Sequence, residues 1–126
     1  MAKVSTIAWL DEPEEKDYLA AQSFLSMVVA PSALSMIISA LRSAPLGHWA
    51  AKDVLRAAGL PALKPKESAE VAEKLAKVEQ GTPISPILIL GGVRDGLVIA
   101  DGYHRTSAAY RVDEDARVPG RLLWSG

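Results

Sequence analysis

Asp101, Gly102, His104 and Arg105 stand within five consecutive residues, Asp-Gly-Tyr-His-Arg. A carboxylate can take a proton or hold a magnesium ion, while an imidazole and a guanidinium donate hydrogen bonds to an anion. The apolar run Leu97-Val98-Ile99-Ala100 precedes this group and the small-residue stretch Thr106 to Tyr110 follows it. That order predicts a strand that breaks at Gly102 into a helix. Such a corner gathers free backbone N–H groups and the positive end of the helix dipole at one point. With His104 and Arg105 in the first turn, the expected ligand is an anion, a phosphate above all.

Each residue of the group has two readings. Arg105 either clamps a phosphate in bidentate fashion or pairs at the surface with the acidic run Asp113-Glu114-Asp115. His104 either donates to a phosphoryl oxygen or packs at the helix start. Asp101 can cap the helix; if a phosphate takes those donors, it turns outward as a magnesium ligand or general base. Gly102 answers to a positive φ or to close approach of a ligand. Thr106 and Ser107 can offer hydroxyls to the same anion or simply occupy a first turn.

A second cluster is His48, Trp49, Lys52 and Asp53. On a helix over 48–58, His48 and Lys52 share a face. Packed beside the motif, Lys52 and His48 would add donors and Asp53 a second catalytic carboxylate. The alternative is a half-buried Trp49 with solvated neighbours. Asp113 to Asp115 read as a solvated loop, and Gly91-Gly92 as a hairpin turn too short to be a phosphate loop.

At 126 residues with 49% apolar content, the chain is expected to be one domain with a real core. A formal net charge of −1 argues against a general nucleic-acid binder. There is no cysteine, which excludes disulfides, thiolate zinc sites and cysteine nucleophiles. Two histidines are too few for a His-based metal cage. The first residues lack the apolar core and cleavage site of a signal peptide, and no run approaches the roughly 20 apolar residues of a membrane span. The expectation is a soluble, cytoplasmic protein without membrane contact.

Periodicity divides the rest. Residues 14–43 predict two helices parted at Pro31, a hairpin whose apolar lines are Tyr18, Ala21, Leu25, Val28 and Leu34, Ile37, Ile38, Leu41. This hairpin is the expected surface for a homo-oligomer or protein partner, if there is one. The 48–58 helix should end at Gly59 and stop before Pro61. A helix over 67–79 buries Val71, Leu75 and Val78, widened by Ala72 and Ala76, with Glu70–Lys74 and Glu73–Lys77 as exposed pairs. Pro86 to Leu90 reads as a strand covered on both faces. Asp95-Gly96 marks a turn back to the 97–100 strand. A helix over 104–112 and a last strand from Val118 to Trp124 complete a compact α+β domain, residues 1–45 forming a helical extension and 46–126 the core.

The run from the 67–79 helix through Ile84-Ser-Pro-Ile-Leu-Ile-Leu90 and Leu97-Val-Ile-Ala-Asp-Gly-Tyr-His-Arg-Thr-Ser-Ala-Ala-Tyr110 to Val118-Pro-Gly-Arg-Leu-Leu123 resembles the ParB/sulfiredoxin-like superfamily. The resemblance covers about Glu67 to Trp124. It implies a small mixed sheet with helices that binds a nucleotide phosphate at the strand-to-helix corner. ParB partition proteins bind CTP there through Gly-Glu-Arg-Arg, sulfiredoxins ATP through Gly-Cys-His-Arg, and the free-serine kinases carry Asp-Gly-His-His-Arg, the nearest to Asp101–Arg105. Tyr103 stands where sulfiredoxin has its cysteine, so thiol-based sulfinic acid reduction is excluded. Only Ser125 and Gly126 follow Trp124, so no ParB-type DNA-reading domain is expected. Glu70, Glu73 and Lys77 replace the Lys, Ser and Thr that hold ATP in sulfiredoxin.

Together these readings point to a ParB-like domain that binds a nucleotide (ATP, ADP or CTP, with Mg²⁺) or another phosphorylated small molecule. Gly102, His104, Arg105, Thr106, Ser107, Lys52 and His48 are its expected contacts. Any turnover would be phosphoryl transfer with Asp101 or Asp53 orienting the acceptor hydroxyl. The alternative is a regulatory or protein-interaction module of the same fold.

Overall fold

Pro31 divides the first apolar stretch because its ring fits the first turn of a helix and not the interior. Helices α1 (Glu15–Leu25) and α2 (Pro31–Ser43) result, in a computed structural model that describes residues 6–93 and 96–125. There follow β1 (Leu46–Ala50), α3 (Ala51–Ala58), α4 (Ala69–Gln80), β2 (Ile87–Gly91), β3 (Leu97–Asp101), α5 (Tyr103–Val112) and β4 (Arg117–Trp124). Gly59 and Gly81 end α3 and α4 in the left-handed conformation, which glycine adopts without a Cβ clash. The Ser68 hydroxyl accepts from the Val71 N–H and starts α4.

The four strands form one mixed sheet in the order β1-β4-β2-β3. β4 runs antiparallel to β1 and parallel to β2, and β3 returns antiparallel along β2 as the edge strand. Alternate residues of a strand face opposite sides. Leu88, Leu90, Val98 and Ala100 accordingly pack on Tyr18, Ala21, Leu25, Ile38 and Leu41 of the α1–α2 hairpin. Ile87, Ile89, Ile99 and Val118 face the other way, onto Ala51 and Val54 of α3 and Ala109 of α5. β2 is covered on both sides, which is why its sequence is an unbroken apolar run. α4 packs on the outside of α5. The α+β class is as the sequence predicts.

The helix expected over 48–58 starts only at Ala51. Residues 46–50 are instead a strand, pairing from Leu46↔Arg121 to Ala50↔Arg117. Their partner lies at the far end of the chain, so no local pattern announces it. His48 is therefore exposed on an edge strand and shares no helix face with Lys52. α4 is narrower than expected: Val71 and Val78 are buried, Leu75 is half-buried, and Ala72 and Ala76 are exposed. Its expected i,i+4 pairs do not form among the described residues. Lys74 lies 3.4 Å from Glu73, and Glu70 faces His104. Exposed pairs are weak enough for any neighbour to redirect them. Asp95, part of the expected turn after β2, lies outside the described residues. No helix among the described residues is long and apolar enough to cross a membrane.

Leu41 is fully buried against the sheet while Met36, on the same helix, is 73% exposed. Leu41→Ala should cost about 2–5 kcal/mol of stability, and Met36→Ala should stay within about 0.5 kcal/mol. Urea denaturation of both variants checks this, and an unchanged midpoint for Leu41→Ala would show that the hairpin is not part of the core.

Candidate functional site

Only glycine fits the start of α5. Gly102 has φ 117°, and a Cβ there would fall 2.3 Å from Ile87 Cγ2 and 3.1 Å from Arg105 Nη2. The backbone therefore turns tightly from β3 into the helix. No side chain among the described residues caps α5, so its first N–H groups have no side-chain acceptor. They stand at one end of a cleft of about 390 Å³ that runs along the whole of β3. Phe24 of α1 and Leu60 wall the cleft, and Asp101, Tyr103 and His104 form its polar corner.

One wall is fastened to α5 by hydrogen bonds. The Tyr103 hydroxyl donates to the Pro61 carbonyl at 2.6 Å, and the Leu63 N–H donates to Ser107 Oγ at 3.1 Å. Arg111 donates from Nε to the Leu63 carbonyl and from Nη2 to that of Ala62, at 3.1 and 2.7 Å. Thr106 Oγ1 donates back to the Gly102 carbonyl at 2.8 Å. Thr106 and Ser107, expected to offer hydroxyls to an anion, are both fully buried and use them inside the protein. Their role is to build the wall and the helix start.

His104 is half-exposed beside the cleft. Its Nε2 lies 3.4 Å from Glu70 Oε1, and its ring stacks on Tyr103 with 5.9 Å between centroids. Arg105 turns the other way. It is buried, with Nη1 3.4 Å from Asp17 Oδ1 and Nη2 donating to Asp101 Oδ2 at 3.0 Å and to the Pro86 carbonyl at 3.3 Å. Its Nε has no partner among the described residues. Neither the phosphate clamp nor the surface pairing with Asp113–Asp115 describes this residue. Buried and held by two acids, its guanidinium does not line the cleft.

Asp101 neither caps α5 nor turns freely outward; it pairs with Arg105 while lining the cleft. Burial raises its carboxyl to about 6 against the attraction of Arg105, and the nearby Asp17 adds to the rise. Burial also pulls Asp17 upward, but Arg105, the Glu14 N–H at 2.8 Å, Ser85 and Asp101 together hold it below the ordinary value. The charge count explains the split. Two ionised carboxylates around one guanidinium would leave a buried net charge, whereas one proton kept on Asp101 leaves the group neutral. The two acids titrate as a pair.

The second expected cluster lies elsewhere. His48 is on β1, the opposite edge of the sheet from β3. Lys52 pairs with Asp115 at 2.7 Å, and its N–H donates to the Glu114 carbonyl. The acidic loop thus sits on the start of α3, near the far end of α5, about 15 Å along that helix from His104. Asp53 pairs with Arg56 at 3.1 Å and lines a different cavity. The corner gains instead a residue the sequence reading passed over, Asp17. Its signal was an acid directly beside the apolar line Tyr18, Ala21, Leu25, on the face that α1 buries.

Arg105→Ala should cost about 3–5 kcal/mol, because it leaves two acids buried without their cation. Arg105→Met combined with Asp17→Asn and Asp101→Asn should recover most of that loss in chemical denaturation, and no recovery would mean that packing, not charge, sets the cost. The raised carboxyl of Asp101 binds its proton more tightly in the folded state. Its contribution to stability is therefore full below 3.8 and lost as pH rises through about 6. Asp17, shifted the other way, acts oppositely and weakens the fold as pH falls below the ordinary carboxylate range. Asp101→Asn should flatten the fall in melting temperature between pH 3.8 and about 6; an unchanged profile would assign that proton elsewhere.

Compared with known proteins, the chain matches no family model, no curated protein and no solved structure.

Proposed function

We propose that the cleft along β3 binds a small phosphorylated ligand, a nucleotide by class, with its phosphate at the start of α5. The observation that carries this reading is the uncapped helix start, set at the end of an open cleft with His104 beside it. Backbone N–H groups and the helix dipole stabilise an anion there, and His104 supplies a donor once the phosphate displaces Glu70. The base or other apolar part lies between Phe24 and Leu60. On the reading that the core is ParB/sulfiredoxin-like, Arg105 departs from the expected phosphate clamp and is instead the residue that positions Asp101.

Asp101 is the group suited to proton transfer. Its raised carboxyl is near the pH at which a general base works best, and it lines the same cleft. In phosphoryl transfer Asp101 would take the proton of an acceptor hydroxyl as its oxygen bonds to the terminal phosphorus and the nucleoside diphosphate leaves; a Mg²⁺ bound with the nucleotide would offset the phosphate charge. The second reading, a binding module without turnover, is favoured by the engagement of Arg105, which leaves no Lys or Arg among the described residues that line the cleft. The exposed Leu19, Met27 and Met36 of the hairpin are where a protein partner would then attach.

Thermal melts with ATP, ADP, CTP and inorganic phosphate, each with and without Mg²⁺, test the first claim. A true ligand at 100 times its Kd adds roughly 2.7 kcal/mol, and His104→Ala should weaken it about tenfold. If none of these ligands raises the melting temperature, the phosphate reading fails. Where binding occurs, release of ADP or CDP that Asp101→Asn abolishes identifies an enzyme, and binding without release identifies the module.

A further inference from the structure

We propose that the cavity between Trp49 and Trp124 is a binding site for a methylated ammonium group. It lies on the α3 face of the sheet and has a volume of about 270 Å³. Ile89 and Leu122 form its floor, and Ala57 and Asp53 of α3 close one side.

The backbone is cut away to seat both indoles. A Cβ on Gly47 would lie 2.5 Å from Trp49 Cη2, and one on Gly91 would lie 2.5 Å from Trp124 Cε3. Gly91 and Trp124 are partners in the β2–β4 ladder, and Gly47 and Trp49 are alternate residues of β1. Each ring therefore covers bare main chain, and neither is sunk in the core. Trp124 remains 66% exposed, although burial of so large a side chain would be worth a few kcal/mol, about 1.5–3 for an ordinary apolar residue. Among the described residues Asp53 is the one ionisable group in the lining, and its ion-pair partner, Arg56, is 84% exposed and screened by water.

The chemistry selects the occupant. Indole faces attract cations, most strongly when the cation is poorly hydrated. The apolar floor offers nothing to replace the water shell of a metal ion or a primary ammonium. A trimethylammonium group brings its own apolar surface, and Asp53 balances its charge. Choline-type small molecules and trimethyllysine side chains share this chemistry.

Calorimetric titration of the full chain with choline, with N-acetyl-trimethyllysine amide and with the neutral isostere 3,3-dimethylbutan-1-ol tests the assignment. At least one cation should bind, the tighter one naming the source, with the alcohol about tenfold weaker or worse. Asp53→Asn should weaken cation binding about tenfold. Trp124→Phe should retain part of it and Trp124→Leu lose it. Should Trp124→Leu fail to fold, Asp53→Asn, on the solvent side of α3, decides alone. Equal binding of the alcohol, an unaffected Asp53→Asn variant, or no saturable heat with either cation would overturn the proposal.

Discussion

One guanidinium between two carboxylates holds together the corner where β3 passes into α5. Arg105 of α5 reaches Asp17 of α1 and Asp101 at the end of β3, so a single buried charge connects the hairpin, the sheet edge and the helix that leaves it. Asp17 also closes the capping box of α1 through the Glu14 N–H. Losing one member of such a group is costly because the others remain buried without compensation. The arrangement also raises the carboxyl of Asp101, since a proton there relieves the excess negative charge, and Asp17 is the acid held ionised by the larger set of hydrogen bonds.

The rest of the corner is built around that constraint. Gly102 has no Cβ, which lets Ile87 and the Arg105 guanidinium close in behind the turn. The N–H groups in front of it face a cleft whose far wall is a loop tied to α5 by Tyr103, Ser107 and Arg111. The cleft thus joins a polar end to apolar flanks, the feature on which the proposed phosphorylated ligand rests. On the α3 side the sheet presents the opposite chemistry, two indoles and a carboxylate. The two cavities share the Leu97 end of β3.

Much of the fold was legible. Pro31, Gly59 and the unbroken 86–90 run marked their elements because each acts through local backbone geometry or side-chain period. The strand at 46–50 was not legible, since 48–58 reads as one helix and the pairing that claims Leu46 to Ala50 comes from Arg117 to Arg121. The same limit misplaced His48 and Lys52. At the motif, the sequence located the corner and the glycine correctly, but the direction of each side chain depended on what lay behind it.

The order of residues alone determined where the chain turns, which faces of its helices are apolar, and that a carboxylate, an imidazole and a guanidinium meet at the start of one helix. These follow from interactions a few residues long. The tertiary structure decided that Arg105 looks inward, that Thr106 and Ser107 bond within the protein, and that Asp17 joins Asp101. Such outcomes rest on contacts between distant segments, where the cost of burying a charge selects its partner and no local pattern records the choice.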